Sequence, residues 1–269
     1  MQKQNGPGLL ALDFDGVLCD GLREYFQTAW RAYCQMWQSG ASAPPSGLAD
    51  RFYHLRPVVE TGWEMPVLLR ALQSGTADAA ILAAWPAIAR RIVVDEGLNI
   101  ADIARLVDDT RDRWIQTDLS AWLAQHQFFP GTIDWLKTLE RDGVLWAIVT
   151  TKEGRFVRKL LDDCGIHLAD DRLFGKEVRR PKSETLEQLQ EDTGVRGDRL
   201  WFVEDRLPAL QAAAERPALA GMRLFLAEWG YTTATHRHAA ARSDRIQLLS
   251  LATCVGDFAG WLSEVHNRD

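Results

Sequence analysis

Short apolar runs alternate with amphipathic stretches over much of the chain. Four runs predict β-strands, at residues 9–12, 144–149, 200–203 and 222–226. Helical spacing of apolar positions predicts helices at residues 133–141, 155–164, 183–193 and 207–215. Short apolar strands separated by helices are typical of a parallel sheet that is covered on both faces. We therefore expect an α/β fold.

A long helical region separates the first predicted strand from the others. Residues 22–37 have helical spacing, and residues 51–126 contain no convincing strand alternation. A turn at 128–131 ends this region. The pattern predicts an α/β core from residues 1–19 and 128–269, interrupted by a helical domain at 20–127. The stretch 232–242 is expected to be a polar loop.

Composition narrows the class of partner. The chain has 269 residues, 46% of them hydrophobic, and a formal net charge of −6. This balance is typical of a globular protein and indicates neither a nucleic-acid surface nor a membrane surface. No apolar run is long enough to span a bilayer. Four scattered cysteines suit reduced thiols in a cytoplasmic protein rather than a zinc site or disulfide framework.

Reactive side chains follow the predicted strands. Asp13 and Asp15 come after the first strand, Thr150–Lys152 after the second and Glu204–Asp205 after the third, while a basic segment at 179–182 opens a helix. Ligands of an open parallel sheet bind beyond the carboxyl ends of its strands. Clustered carboxylates need a cation, and oxygen ligands favour Mg²⁺. Hydroxyl, amide and ammonium groups beside the cation would bind an anion, so the pattern predicts a phosphate site. The simpler alternative is that Asp13 and Asp15 only form a turn.

Four segments together resemble the motifs of the haloacid dehalogenase-like hydrolase superfamily. They are residues 10–18, 147–152, 180–184 and 201–205. The sequence Phe129-Pro130-Gly131 and the helical insert resemble the phosphoglycolate-phosphatase-like members, which carry a helical cap. The resemblance implies a Rossmann-like core with an α-helical cap domain at 20–127.

The resemblance also implies a phosphatase with an aspartyl-phosphate intermediate. Asp13 would be the nucleophile, and Asp15 would act as general acid and then as general base. Mg²⁺ would be bound by Asp13, the backbone carbonyl of Asp15 and Asp205. Thr150 and a lysine would hold the phosphoryl oxygens.

Two positions depart from the usual motifs. The Lys-Pro step of the third motif falls on Arg180-Pro181, so we favour Lys182 for the lysine role and keep Arg180 as the alternative. The fourth motif begins with Glu204, so Asp205 is the favoured metal ligand, and Glu204 would either bind the metal through water or support the ligands without touching the metal. Thr151 is a further candidate for substrate contact.

The rest of the substrate must be recognised elsewhere. In the insert, Arg56, Glu60, Trp63 and Glu64 are candidates, and an equally good interpretation is a solvated helix end with a packed tryptophan. We expect a phosphatase acting on a small phosphorylated metabolite. A sugar phosphomutase and a non-catalytic binding protein are the alternatives, whereas Asp15 argues against a dehalogenase.

Overall fold

A six-stranded, all-parallel sheet organises the core of the protein. The computed structural model describes residues 6–38, 40 and 43–263. The strands of the chain are β1 (Leu9–Leu12), β2 (Cys19–Asp20), β3 (Gln127–Phe128), β4 (Trp146–Val149), β5 (Leu173–Phe174), β6 (Leu200–Glu204), β7 (Arg223–Ala227) and β8 (Ile246–Leu249). The strand order in the large sheet is β5-β4-β1-β6-β7-β8, so β1 lies in the interior between β4 and β6.

Helices accompany this sheet along the chain. They are α7 (Thr132–Arg141), α8 (Gly154–Asp163), α9 (Lys182–Thr193), α10 (Leu207–Ala214), α11 (Ala234–Ala241), α12 (Leu251–Cys254) and α13 (Phe258–Ser263). Alternate side chains of the strands enter different cores, because successive residues of a strand point to opposite faces. Ala11 and Phe202 pack with α9 and α10, whereas Trp201 packs with Trp261 of α13. The predicted α/β fold with a Rossmann-like parallel sheet is confirmed.

In the inserted segment, the regular secondary structure that is described between α1 and α6 is helical. Its helices are α1 (Leu22–Met36), α2 (Leu48–Leu55), α3 (Glu64–Gln73), α4 (Asp78–Asp95), α5 (Ile100–Thr117) and α6 (Leu119–Leu123). Leu68, Ile81 and Val107 are among the buried side chains of its own apolar core. Pro86 lies inside α4, and the backbone of Ala84 departs from helical angles, as expected where proline removes a donor and crowds the preceding turn.

The chain divides into two compact units. Among the described residues, those up to Asp20 and those from Phe128 onward form the core unit, and Gly21–Gln127 forms the helical unit. The first boundary lies one residue later than the sequence predicts. Each unit has its own buried apolar cluster.

Some local predictions are wrong. The stretch 232–242 is not a loop, because α11 occupies most of it and Thr233 caps the helix by accepting a hydrogen bond from the His236 amide. Strands β5 and β8 extend the sheet although no strand is predicted there. In the described parts of the chain, no helix has both the length and the apolar character needed to cross a membrane.

Candidate active site

Three strands deliver the predicted site residues to one edge of the sheet. Leu12 of β1 is in register with Ile148 of β4 and with Val203 of β6, so these strands end together. The amide of Asp13 then donates a hydrogen bond to the Val203 carbonyl at 2.9 Å. The residues after each strand therefore lie close in space although they are far apart in sequence.

Three buried carboxylates meet at this edge. Asp13, Glu204 and Asp205 each offer a carboxylate oxygen, and these atoms lie within 4.8 Å of one another. Glu204 is fully buried, and Asp205 and Asp13 are 1% and 5% exposed. Such a group would be unstable in isolation, because like charges repel most strongly where water is excluded.

The ammonium group of Lys182 lies against two of these carboxylates. Lys182, the first residue of α9, places Nζ 2.9 Å from Asp13 Oδ1 and 2.6 Å from Glu204 Oε2. The other oxygen of Glu204 accepts hydrogen bonds from the backbone amides of Asp205 and Arg206. Both oxygens of Glu204 are thus engaged by the protein itself.

The electrostatics reflect burial and incomplete compensation. Burial, together with repulsion from Glu204, raises the pKa of Asp13 to about 7, although Lys182 acts in the opposite direction. Burial also raises the pKa values of Glu204 and Asp205. Burial lowers the pKa of Lys182, but the attraction of Asp13 and Glu204 is larger in sum and raises it above the usual value. Lys182 therefore stays protonated near neutral pH beside Asp13 and Glu204.

The turn after β1 depends on a glycine. Gly16 has a φ of +87°, and a Cβ atom there would overlap Oδ2 of Asp205. Only glycine combines this left-handed conformation with such a close approach. The sequence Asp13-Phe14-Asp15-Gly16 thereby brings the turn against the Asp205 carboxylate.

The second aspartate of this turn has a separate partner. Asp15 Oδ1 lies 3.2 Å from Lys152 Nζ, and the two side chains are only 15% and 9% exposed. The Asp15 carboxylate does not belong to the group of three clustered carboxylates described above. Lys152 is the last residue of the second motif-like segment, 147–152, and the sequence predicts no separate role for it.

The candidate phosphate-binding groups line a small pocket in the core unit. The pocket has a volume of about 190 Å³, and Thr150, Thr151, Arg180 and Lys182 all contribute to it. Thr150 is buried, and its hydroxyl accepts a hydrogen bond from the Lys152 amide. Arg180 is exposed, whereas the side chain of Lys182 is 13% exposed and contacts Asp13.

The candidate substrate residues of the insert have partners within the helical unit. Arg56 donates a hydrogen bond to the Val59 carbonyl, and its guanidinium lies over the ring of Tyr25. Trp63 is half-buried and packs against the core of this unit. The Glu64 carboxylate accepts hydrogen bonds from the Glu60 amide and from Trp85 Nε1. Such contacts are typical of side chains that pack within a helical domain and of residues that begin a helix.

A further segment, which was not among the predicted site residues, lies at the site. Trp229, Gly230 and Tyr231 follow β7, and the Tyr231 amide donates a hydrogen bond to Asp205 Oδ2 at 2.7 Å. A signal was available, because 222–226 is a predicted strand of the same parallel sheet. The residues after it should lie at the same edge as Asp13 and Asp205.

The donor set of the cluster fits a hard divalent cation. Every potential ligand atom in the group is a carboxylate oxygen, as Mg²⁺ prefers. Burial is the largest cause of the raised pKa of Asp13, and repulsion from Glu204 adds to it. An added cation would offset this repulsion.

Comparison with known proteins places this geometry in context. A family model described as haloacid dehalogenase-like hydrolase matches residues 8–215. A Streptococcus pneumoniae structure titled as a hydrolase of the haloacid dehalogenase-like family has a TM-score of 0.56 at 14% identity, covering 97% of this chain and 99% of that one. At this identity the structural match concerns the fold alone.

Two curated relatives match part of the sequence. A phosphoglycolate phosphatase of Pseudomonas savastanoi pv. phaseolicola is 26% identical over 155 residues, which is 55% of this chain and 56% of that protein. A phosphoglycolate phosphatase of Pseudomonas syringae pv. tomato is 26% identical over 171 residues, 61% of each chain. The chain thus spans less than two thirds of the length of these relatives.

Proposed function

Because the chain belongs to the haloacid dehalogenase-like hydrolases, we propose that it is a Mg²⁺-dependent phosphatase that hydrolyses a small phosphomonoester through an aspartyl-phosphate. The observation that carries this proposal is the position of Lys182 between Asp13 and Glu204, beside Asp205. The partial relatives named phosphoglycolate phosphatase make phosphoglycolate the first substrate to test.

Asp13 is the proposed nucleophile. One of its carboxylate oxygens attacks phosphorus, the bond from phosphorus to the ester oxygen breaks, and Asp15 gives a proton to the leaving oxygen. Water then attacks the phosphorus of the aspartyl-phosphate and loses a proton to the Asp15 carboxylate, while the bond from phosphorus to the Asp13 oxygen breaks. The products are the alcohol and inorganic phosphate, and both aspartates return to their starting state.

Thr150 and Lys182 are the proposed anchors of the phosphoryl group. They line one pocket, and Lys182 also places its ammonium 2.9 Å from Asp13 Oδ1. Charge shifts among the phosphoryl oxygens during transfer, and donors already in position stabilise it without rearrangement. Thr151 and Arg180 line the same pocket and are proposed to contact the substrate at its rim.

The metal would be held by Asp13, Asp205 and the backbone carbonyl of Asp15. When bound, Mg²⁺ would offset the negative charge of the phosphate and of the carboxylates around it. Glu204 is proposed not to bind the metal itself, because Lys182 and two backbone amides already engage its oxygens. This assigns Glu204 to positioning Lys182 and the Asp205 backbone.

The helical unit is the proposed cap, and it would recognise the organic part of the substrate. Arg56 and Trp63 are the candidate contacts, in competition with the structural roles that their neighbours indicate. The pocket in the core unit has a volume of only about 190 Å³. This size suits a phosphate group, so the organic part of the substrate would be recognised by other residues. The cytoplasmic location stays a prediction.

A substrate panel with an Asp13 variant tests the proposal. We expect Mg²⁺-stimulated release of phosphate from at least one of phosphoglycolate, sugar phosphates, nucleotides and p-nitrophenyl phosphate, without any bisphosphate primer. Asp13→Asn should abolish turnover, and Asp171→Asn, at an exposed aspartate of the core unit, should not. Full activity of a folded Asp13→Asn variant would contradict the nucleophile role. Dependence on a bisphosphate would favour the phosphomutase alternative.

A further inference from the structure

The segment that follows β7 lies at the same edge of the sheet as the acidic cluster. Glu204 of β6 is in register with Leu226 of β7, so the residues after β7 lie beside Asp205. The chain turns there, with the Gly230 amide donating a hydrogen bond to the Ala227 carbonyl. Trp229–Tyr231 is the part of this turn that contacts Asp205 and the turn after β1, and we call it the β7 clamp.

The β7 clamp contacts Asp205 and the residue after it. The Tyr231 amide donates to Asp205 Oδ2 at 2.7 Å, and the Tyr231 carbonyl accepts a hydrogen bond from Arg206 Nη1 at 3.1 Å. The first contact restrains the Asp205 side chain, and the second ties the side chain of the next residue to the backbone of the same buried tyrosine. Tyr231 therefore restrains the orientation of the Asp205 carboxylate through Oδ2.

The same segment contacts the turn after β1. Trp229 Nε1 donates a hydrogen bond to the Val17 carbonyl at 3.1 Å. The Tyr231 hydroxyl donates to Asp20 Oδ1 at 2.8 Å. Two side chains of the clamp thus contact residues 17 and 20, in the stretch that follows Asp15.

Gly230 allows the two sets of contacts to exist together. A Cβ atom at Gly230 would overlap both the Gly16 carbonyl oxygen and Cβ of Asp205. Both obstacles are backbone or close to it, so neither can move aside without shifting the site. The requirement for glycine is steric here.

We propose that the β7 clamp is the positioning element of the metal site, fixing the Asp205 carboxylate against the Asp13–Gly16 turn so that both sides of the site bind Mg²⁺ at once. The inference rests on the proposed function in one respect, the identity of the metal. It assigns Trp229, Gly230 and Tyr231 roles that act through Asp205 and the turn, and none of them would touch the substrate.

Mg²⁺ binding to the metal-free protein, measured by isothermal titration calorimetry, tests the inference. Loss of groups that orient metal ligands typically weakens metal affinity about 10–100-fold, and we expect a change of that order for Gly230→Ala. Trp229→Phe keeps an aromatic ring and removes one donor, so we expect its Kd to rise about threefold. Gly260→Ala is the matched control, because a Cβ there meets only an ordinary contact with Thr253.

The thermal midpoint of each metal-free variant separates positioning from a structural role. A merely structural role would lower the midpoint and leave the Mg²⁺ Kd at the wild-type value, which would overturn the inference. If Gly230→Ala does not fold, Trp229→Phe decides by the same criterion. A wild-type protein that binds no Mg²⁺ also overturns the inference. Binding that weakens in the variants of a protein without phosphatase activity supports the inference while refuting the proposed function.

Discussion

Replacement of Lys182 by methionine tests the charge balance of the site. The variant keeps an unbranched apolar side chain that reaches the ε position, and it removes the ammonium that lies 2.9 Å from Asp13 and 2.6 Å from Glu204. Removing one partner of a buried ion pair costs about 3–5 kcal/mol, because the remaining charge is buried without compensation. We expect the free energy of unfolding of the metal-free protein to fall by about this amount.

Activity should fall for a different reason. Loss of one fixed donor to developing charge typically lowers kcat by about 10²–10³-fold, and we expect this for Lys182→Met. Arg180→Met is the matched control, since Arg180 lines the same pocket but is exposed. Its unfolding free energy should change by no more than about 0.5 kcal/mol.

Urea denaturation at pH 7.5, with and without Mg²⁺, and steady-state hydrolysis of p-nitrophenyl phosphate measure both effects. The reasoning is refuted if Lys182→Met unfolds within about 1 kcal/mol of the wild type, since burial would then impose no cost on the unpaired carboxylates. Loss of turnover in Arg180→Met, with turnover kept in Lys182→Met, would transfer the third-motif role to Arg180.

Three further perturbations have defined outcomes. Arg111→Met removes the guanidinium that pairs with the fully buried Glu24, so urea denaturation should show that the free energy of unfolding falls by about 3–5 kcal/mol. Arg105→Met, at an exposed pair with Asp102, is the control and should lower it by less than about 0.5 kcal/mol. An equal loss in both variants would contradict this. Mg²⁺ at about 100 times its Kd should stabilise the protein by about 2.7 kcal/mol in a thermal scan, and EDTA should remove both this gain and the activity. Burial raises the pKa of the Cys254 thiol, so thiol titration at pH 8 should label it only after denaturation, and prompt labelling of the native protein would refute its burial.

The parts of the fold that the sequence predicts are those with a strong local pattern. β1 and β4 are wholly buried apolar runs, which is why their position in a parallel sheet can be anticipated. β5 has only two residues, and β8 includes the polar Gln247, so neither carries a recognisable pattern. Helix α11 was missed because its histidines and threonine suggested a loop, while its alanines favour helix.

The candidate site likewise contains residues that a local pattern identifies and contacts that no local pattern predicts. Asp13, Asp15 and Asp205 follow strands and can be identified from one segment at a time. The pairing of Lys152 with Asp15 joins residues 137 positions apart, and the contact of Trp229 with Val17 joins residues 212 positions apart. No local pattern encodes such contacts, because they arise only when parallel strands end at one edge.

Glu204 illustrates how a departure from a motif can have a physical purpose. A glycine there could not hold Lys182, whereas the buried carboxylate accepts a hydrogen bond from its Nζ and two more from backbone amides. Paired with two carboxylates, Lys182 has a pKa above its usual value and stays charged in spite of its burial. Lys182, which follows Arg180-Pro181, therefore gains a fixed position and a stable positive charge from its contact with Glu204. Asp13 then has an ammonium at 2.9 Å without any need for a lysine at position 180.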